Sequence, residues 1–147
     1  MSQAIQTPTF VVSGDLYAEV RTFYARQMRL LDQLDIERYA ETFTEDGVVD
    51  HASRGERAQG RAAMIAGMRQ ALPRYAGIAV RHFFDHLLIE PLDDERLSVT
   101  YYSLVTRTDA AGAVVFEPTF TVEDVLVRVD GALAAKSRTV YRDGAPA

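Results

Sequence analysis

Two of the three histidines in this 147-residue chain, His82 and His86, fall four apart in Arg81-His82-Phe83-Phe84-Asp85-His86-Leu87-Leu88-Ile89. Imidazoles move protons near neutral pH. On a helix that spacing would suit a shared metal ion, but the segment reads as a buried strand. There the two α-carbons lie roughly 13 Å apart at ~3.3 Å per residue. No metal site is expected. Proton transfer by His82, lining a closed pocket, is the chemistry these residue types favour.

Such a histidine needs a carboxylate to fix its tautomer, and Asp35 is the candidate. It stands where one helix passes into the next. There it can cap the second helix and, ionised at the positive helix end, accept an imidazole N–H. His51, beside Asp50, is placed at the pocket mouth. Tyr24, Tyr101 and Tyr102 offer phenols to a substrate oxygen, although only one of the adjacent pair can face inward. His86 and Phe84 share the His82 face by period-two alternation and complete the expected substrate-binding surface. Glu117, Glu123 and Asp124 lie on a strand with poor alternation and are left unassigned.

The elements that must position these residues follow from the periodicity. From Asp15 to Leu34 an apolar stripe at three- and four-residue spacings marks a long amphipathic helix, with Ser13 or Asp15 as its cap. A shorter helix opens at Asp35 and carries Ile36, Tyr39, Ala40 and Phe43 on one face, ending near Asp46-Gly47. A short strand at Val48–His51 and a polar loop to Gly60 precede a third helix, Arg61 to Leu72, stopped by Pro73. After Ala76 the period drops to two: Val80, His82, Phe84, His86 and Leu88 should share one face. Strands over 97–108, 114–130 and 133–142 complete an antiparallel meander. Asp130-Gly131 forms the last hairpin, and a bulge or bend is expected near Glu117-Pro118. The expected fold class is α+β: three N-terminal helices on a strongly curved, mostly antiparallel sheet that encloses a pocket.

Composition agrees with one globular domain spanning 1–147, loosely attached at 1–12 and 144–147, with 48% apolar and 25% charged residues. The formal charge of −5 repels phosphate backbones, so nucleic acid is not an expected partner. No apolar run approaches the ~20 residues that cross a bilayer, and Met1–Phe10 has no basic residue before an apolar stretch, so a cytoplasmic location is expected. The absence of cysteine removes thiolate catalysis and disulfides. Valines at 115, 125, 127 and 129 suggest an apolar outer sheet face and hence a homodimer.

Taken together, Leu34-Asp35-Ile36-Glu37-Arg38-Tyr39, Phe43-Thr44-Glu45-Asp46-Gly47-Val48-Val49, Gly60-Arg61-Ala62-Ala63-Met64-Ile65 and Arg81-His82-Phe83 resemble the SnoaL-like branch of the nuclear transport factor 2-like superfamily. The resemblance runs from about Leu16 to Tyr141 and implies a cone-shaped fold. That superfamily holds polyketide cyclases, dehydratases and epoxide hydrolases, but also non-catalytic domains. By resemblance, Asp35 matches the catalytic aspartate of the dehydratases and His82 their histidine. His51 and Tyr102 match substrate-binding positions more loosely. The second catalytic histidine of scytalone dehydratase has no counterpart near Thr108. The resemblance therefore implies a cofactor-independent cyclase or dehydratase-like lyase acting on a hydrophobic hydroxy-ketone of secondary metabolism. Alternatives are an epoxide hydrolase-like enzyme, whose Asp-Arg-Asp set lacks a second aspartate here, and a non-catalytic accessory or ligand-binding module.

Overall fold

The computed structural model describes residues 10–144, so most of the loose ends expected at 1–12 and 144–147 lies outside the described residues. Helix α1 spans Gly14–Asp32, and the Ser13 side chain accepts from the Leu16 N–H, the local bond that starts it. It ends in a Schellman turn: Leu34 adopts φ 60°, its N–H donates to the Leu31 carbonyl, and the Asp35 N–H donates to the Leu30 carbonyl. The turn uses few residues, so α2 (Ile36–Glu41) begins at once with Asp35 as its cap, accepting from the Arg38 N–H at 3.3 Å.

Helix α2 is shorter than its apolar spacing suggests. Phe43, expected on that helix face, instead opens strand β1 (Phe43–His51) and is fully buried. Gly47 makes this possible, because a Cβ there would sit 3.0 Å from both the Phe43 Cβ and the Thr44 carbonyl oxygen. The expected loop after β1 contains a 3₁₀ turn at Ala52–Arg54 and a short strand β2 (Glu56–Gln59) paired back onto β1. Helix α3 (Arg61–Ala71) follows, and a second 3₁₀ turn, Leu72–Tyr75, contains the Pro73 that stops it.

The remaining strands are β3 (Ala79–Pro91), β4 (Arg96–Thr108), β5 (Val114–Phe116), β6 (Phe120–Val129) and β7 (Ala132–Arg142). They form a seven-stranded sheet of order β2-β1-β7-β6-β4-β3, with β5 added to β4. Only the β1–β7 pair is parallel. The long strand expected over 114–130 is broken into β5 and β6 at Glu117-Pro118-Thr119, since proline brings no N–H to a ladder. Asp130 and Gly131, with φ of 50° and 82°, make the tight β6–β7 turn, whose twist matches that of its strands.

The helices cover the inner face of this sheet. Val20, Tyr24 and Met28 of α1 pack with Phe43, Val99, Tyr101, Val122 and Leu126 in one core cluster. Fully burying a side chain of this kind is worth ~1.5–3 kcal/mol. Among the described residues, no helix is long and apolar enough to cross a membrane. On the opposite face, Phe83, Leu88, Tyr102 and Val129 are exposed, while Val125 and Val127 are half-buried; Val115, on β5, is exposed as well.

The regular alternation expected along β3 fails at one point. His86 takes φ 56°, the pairing with β4 shifts between Asp85 and Leu88, and the His86 N–H is satisfied by the Asp85 carboxylate at 2.8 Å. This bulge adds a residue and exchanges the faces of everything after it. Leu87 and Ile89 therefore turn toward the core, while His86 and Leu88 face outward.

Candidate active site

Strand β3 is an edge of the sheet, and α1 lies along it. Between them is a half-open cavity of about 590 Å³. Its walls come from a line of α1 residues (Arg21, Tyr24, Met28, Arg29, Asp32) and from Arg81, His82 and Phe84 of β3. Apart from the adjacent Met28 and Arg29, the α1 residues recur at intervals of three or four and so share one side of the helix.

At one end of this cavity the His82 Nδ1 lies 2.6 Å from the Asp32 Oδ1, and the His82 backbone N–H donates to Asp32 Oδ2 at 3.4 Å. A carboxylate can only accept, so Nδ1 carries a proton, and in the neutral ring Nε2 has the lone pair. Both side chains are largely but not wholly covered, with 21% of His82 and 10% of Asp32 exposed. Among the described residues nothing hydrogen-bonds to Nε2. The pair can thus accept and return a proton at a single atom on the cavity wall, while Asp32 stabilises the imidazolium formed in between.

The carboxylate differs from the expected one. Asp35 is engaged by the α2 N-terminus and by Arg38, 3.9 Å away, and does not line the cavity. The Schellman turn reverses the chain between the two aspartates and leaves Asp32 facing β3. Sequence reading missed Asp32 because an acidic residue in the last helical turn opposes the helix dipole and looks like a solvated position. The available signal was its place in line with Arg21, Ala25, Met28 and Arg29.

The other expected site residues are dispersed. Tyr24 and Phe84 line the cavity. His86 and Tyr102 do not: the bulge carries His86 outward, where its ring lies 5.5 Å from that of Tyr102, itself 56% exposed. Of the adjacent tyrosines, Tyr101 faces inward. His51 sits at the far end of β1, half-buried and away from the cavity, and desolvation holds its pKa below the ordinary value of 6.5. Among the described residues, no three His, Asp or Glu side chains come together as a metal site.

Beneath the aromatic floor of the cavity lies a cluster the sequence did not announce. Arg138 of β7 and Asp124 of β6 are paired in register and joined by two charge-assisted bonds of 2.8 and 2.9 Å. Tyr24 and Tyr101 also donate to Asp124, at 2.9 and 3.0 Å. Arg138 donates further to the Tyr39 oxygen and to Gln27, whose amide donates in turn to Thr42. Burial works against the guanidinium charge, yet the Asp124 carboxylate, helped by the tyrosine oxygens, holds the Arg138 pKa well above its usual range. Burial first, and then the same carboxylate, push the Tyr24 phenol well up. Tyr24 therefore remains a neutral donor committed to Asp124. The Phe84 ring, 4.4 Å from Tyr101 and 5.5 Å from the Arg138 guanidinium carbon, separates this cluster from the open cavity.

Comparison with known proteins identifies the family. No curated protein matches the chain. Among solved structures, Aln2 from a Streptomyces species is 42% identical, covering 91% of this chain and 95% of its own, with a TM-score of 0.86. ActVI-ORFA from Streptomyces coelicolor is 40% identical over 88% of this chain and 98% of its own, TM-score 0.83. A Catenulispora acidiphila protein, solved in complex with S-DNPA, is 39% identical over 89% of this chain and 96% of its own, TM-score 0.81. The family model described as a SnoaL-like domain matches residues 15–139. With that match covering most of its length, the chain belongs to the SnoaL-like domain family.

Proposed function

We propose that the protein is a cofactor-independent cyclase or dehydratase-like lyase, acting on a hydrophobic, polyketide-like hydroxy-ketone. The observation that carries this reading is the 2.6 Å contact between His82 and Asp32 on the wall of a cavity sized for a small molecule. His82 Nε2 takes the proton from the carbon beside a carbonyl, and the electron pair of that C–H bond forms an enolate. The enolate then expels the β-hydroxyl group, which leaves as water with the proton returned by the imidazolium. In a ring closure the same proton is delivered to the displaced or attacked oxygen. The Gln33 amide, next to Asp32 on the wall, is a neutral donor available to the carbonyl oxygen. The phenols and His51 do not serve there, since Tyr24 is committed to Asp124 and the others lie elsewhere. The bound molecule in the Catenulispora relative supports a small-molecule ligand for this fold.

The epoxide-hydrolase alternative is less supported. Arg138 meets a single aspartate, whose Oδ1 is held by Arg138 and whose Oδ2 is held by Arg138, Tyr24 and Tyr101. Asp124 is therefore poorly placed to activate a water.

His82→Ala tests the proposal. A positioned acid–base group is worth ~10²–10⁴ in rate, so kcat for dehydration or cyclisation should fall by that factor while the circular dichroism spectrum is retained. Turnover at the wild-type rate would overturn the reading.

A further inference from the structure

The charge lining the cavity is opposite in sign to that of the molecule. The chain carries a net −5, yet the cavity wall presents three guanidiniums, Arg21, Arg29 and Arg81, against two carboxylates, Asp32 and Asp85. Both carboxylates are already engaged, Asp32 by His82 and Asp85 by Arg21 at 3.3 Å. Arg21 also donates to the Phe84 carbonyl and is held in place. That leaves Arg29 and Arg81. Arg81 makes one bond, to the neighbouring Val80 carbonyl, and neither forms an ion pair among the described residues. Elsewhere the exposed arginines at 38, 54, 69, 96 and 128 each have a carboxylate partner. Those at 26, 57, 74 and 142 have none among the described residues, but they do not line this cavity.

The two unpaired guanidiniums also flank the reacting pair. Arg29 lies one helical turn before Asp32 on α1, and Arg81 directly precedes His82 on β3. Both residues line the cavity, Arg29 from α1 and Arg81 from β3, where its guanidinium bonds the Val80 carbonyl. Guanidinium forks match carboxylate geometry, and the half-covered mouth weakens solvent screening relative to a flat surface. We infer that Arg29 and Arg81 bind a carboxylate of the substrate and so orient its carbon acid toward His82. This rests on the proton-transfer reading above and adds the substrate class: a hydrophobic acid rather than a neutral ketone.

Binding separates this inference from that reading, because it needs no turnover. The probes are 2-naphthoate and 2-naphthamide, equal in shape and different in charge, titrated by calorimetry into the wild type, into Arg29→Gln/Arg81→Gln and into His82→Ala. The expected result is naphthoate binding roughly three- to tenfold tighter than naphthamide in the wild type, with the gap narrowing as salt is raised. The gap should vanish in the double variant, through the naphthoate alone, and persist in His82→Ala. Equal affinities in the wild type would overturn the inference. So would a gap that survives the double variant, one that disappears only in His82→Ala, or no binding of either probe at millimolar concentration. His82→Ala with normal turnover but an intact gap would sink the catalytic reading and leave the anion site standing.

Discussion

Two carboxylate-centred pairs, Arg138–Asp124 and His82–Asp32, join elements of this fold, and they are built in opposite ways. In the Arg138–Asp124 pair 5% of one side chain and none of the other is exposed, and Asp124 accepts four hydrogen bonds. Every polar atom has a partner, so nothing is left to react. In the His82–Asp32 pair both carboxylate oxygens accept from His82, but one ring nitrogen has no hydrogen-bond partner among the described residues, and the histidine lines a cavity. Burial of charge therefore does not by itself mark a catalytic group. Proton transfer needs a lone pair left open on an accessible wall. The sealed pair organises: through Tyr24, Gln27 and Tyr39 it ties α1 and α2 to the sheet and so holds the helix that bears Asp32 against β3.

Breaking the sealed pair should act on stability, and strongly. Asp124→Ala leaves Arg138 buried without its counter-charge, and such a loss costs about 3–5 kcal/mol. Urea denaturation should show the midpoint falling accordingly. Replacing both members, as Asp124→Leu with Arg138→Met, removes the charges together and should recover most of that loss. A single variant within about 1 kcal/mol of wild type would mean that the cluster is not what fastens the helices.

The open pair should respond in rate instead. Asp32→Asn keeps the shape but offers an amide that can satisfy either imidazole tautomer, so kcat should fall roughly 10²-fold, with little change in denaturation midpoint. Asp35→Ala is the counterpart: loss of its cap should cost about 1 kcal/mol of stability and leave kcat within about twofold. The reverse outcome, an inactive Asp35→Ala and an active Asp32→Asn, would return the catalytic role to the residue that resemblance alone selects.

That contrast between neighbouring aspartates also shows what a sequence can and cannot carry. Helix α1, the Pro73 stop, the Asp130-Gly131 turn and the change to period two after Ala76 are written in local chemistry, and the order of helices and sheet follows from them. His82 is legible for the same reason, as a polar residue on the apolar face of a strand. The bulge at His86 is not, because nothing in Asp85-His86-Leu87 distinguishes a left-handed residue from a regular one until Asp85 is seen bonding the freed N–H. Alternation alone therefore puts His86 inside the cavity, where it does not lie. Asp32 and the Asp124–Arg138 pair share a second difficulty. Their roles depend on partners 50 and 14 positions away, and the sequence shows each only as another charged residue.

A weaker effect separates the two half-buried histidines. His82 has a carboxylate beside its ring; His51 has no hydrogen-bonded side-chain partner among the described residues, and its surroundings are mixed, with Arg54 and the more distant Arg138 opposing a positive ring and Glu56 and Asp50 favouring it. Desolvation dominates and depresses the His51 pKa in the folded protein below the 6.5 it returns to on unfolding. Between those two values the unfolded chain binds more protons, so stability falls as pH drops through that window and is fully present above about 6.5. His51→Gln removes the titrating group without adding charge. The expected result is a shallower loss of urea midpoint between about pH 7 and pH 5 than in the wild type, with no difference in pH dependence above that range. An unchanged slope would show that the His51 ring is wet in the folded state, as the outward-facing His86 is.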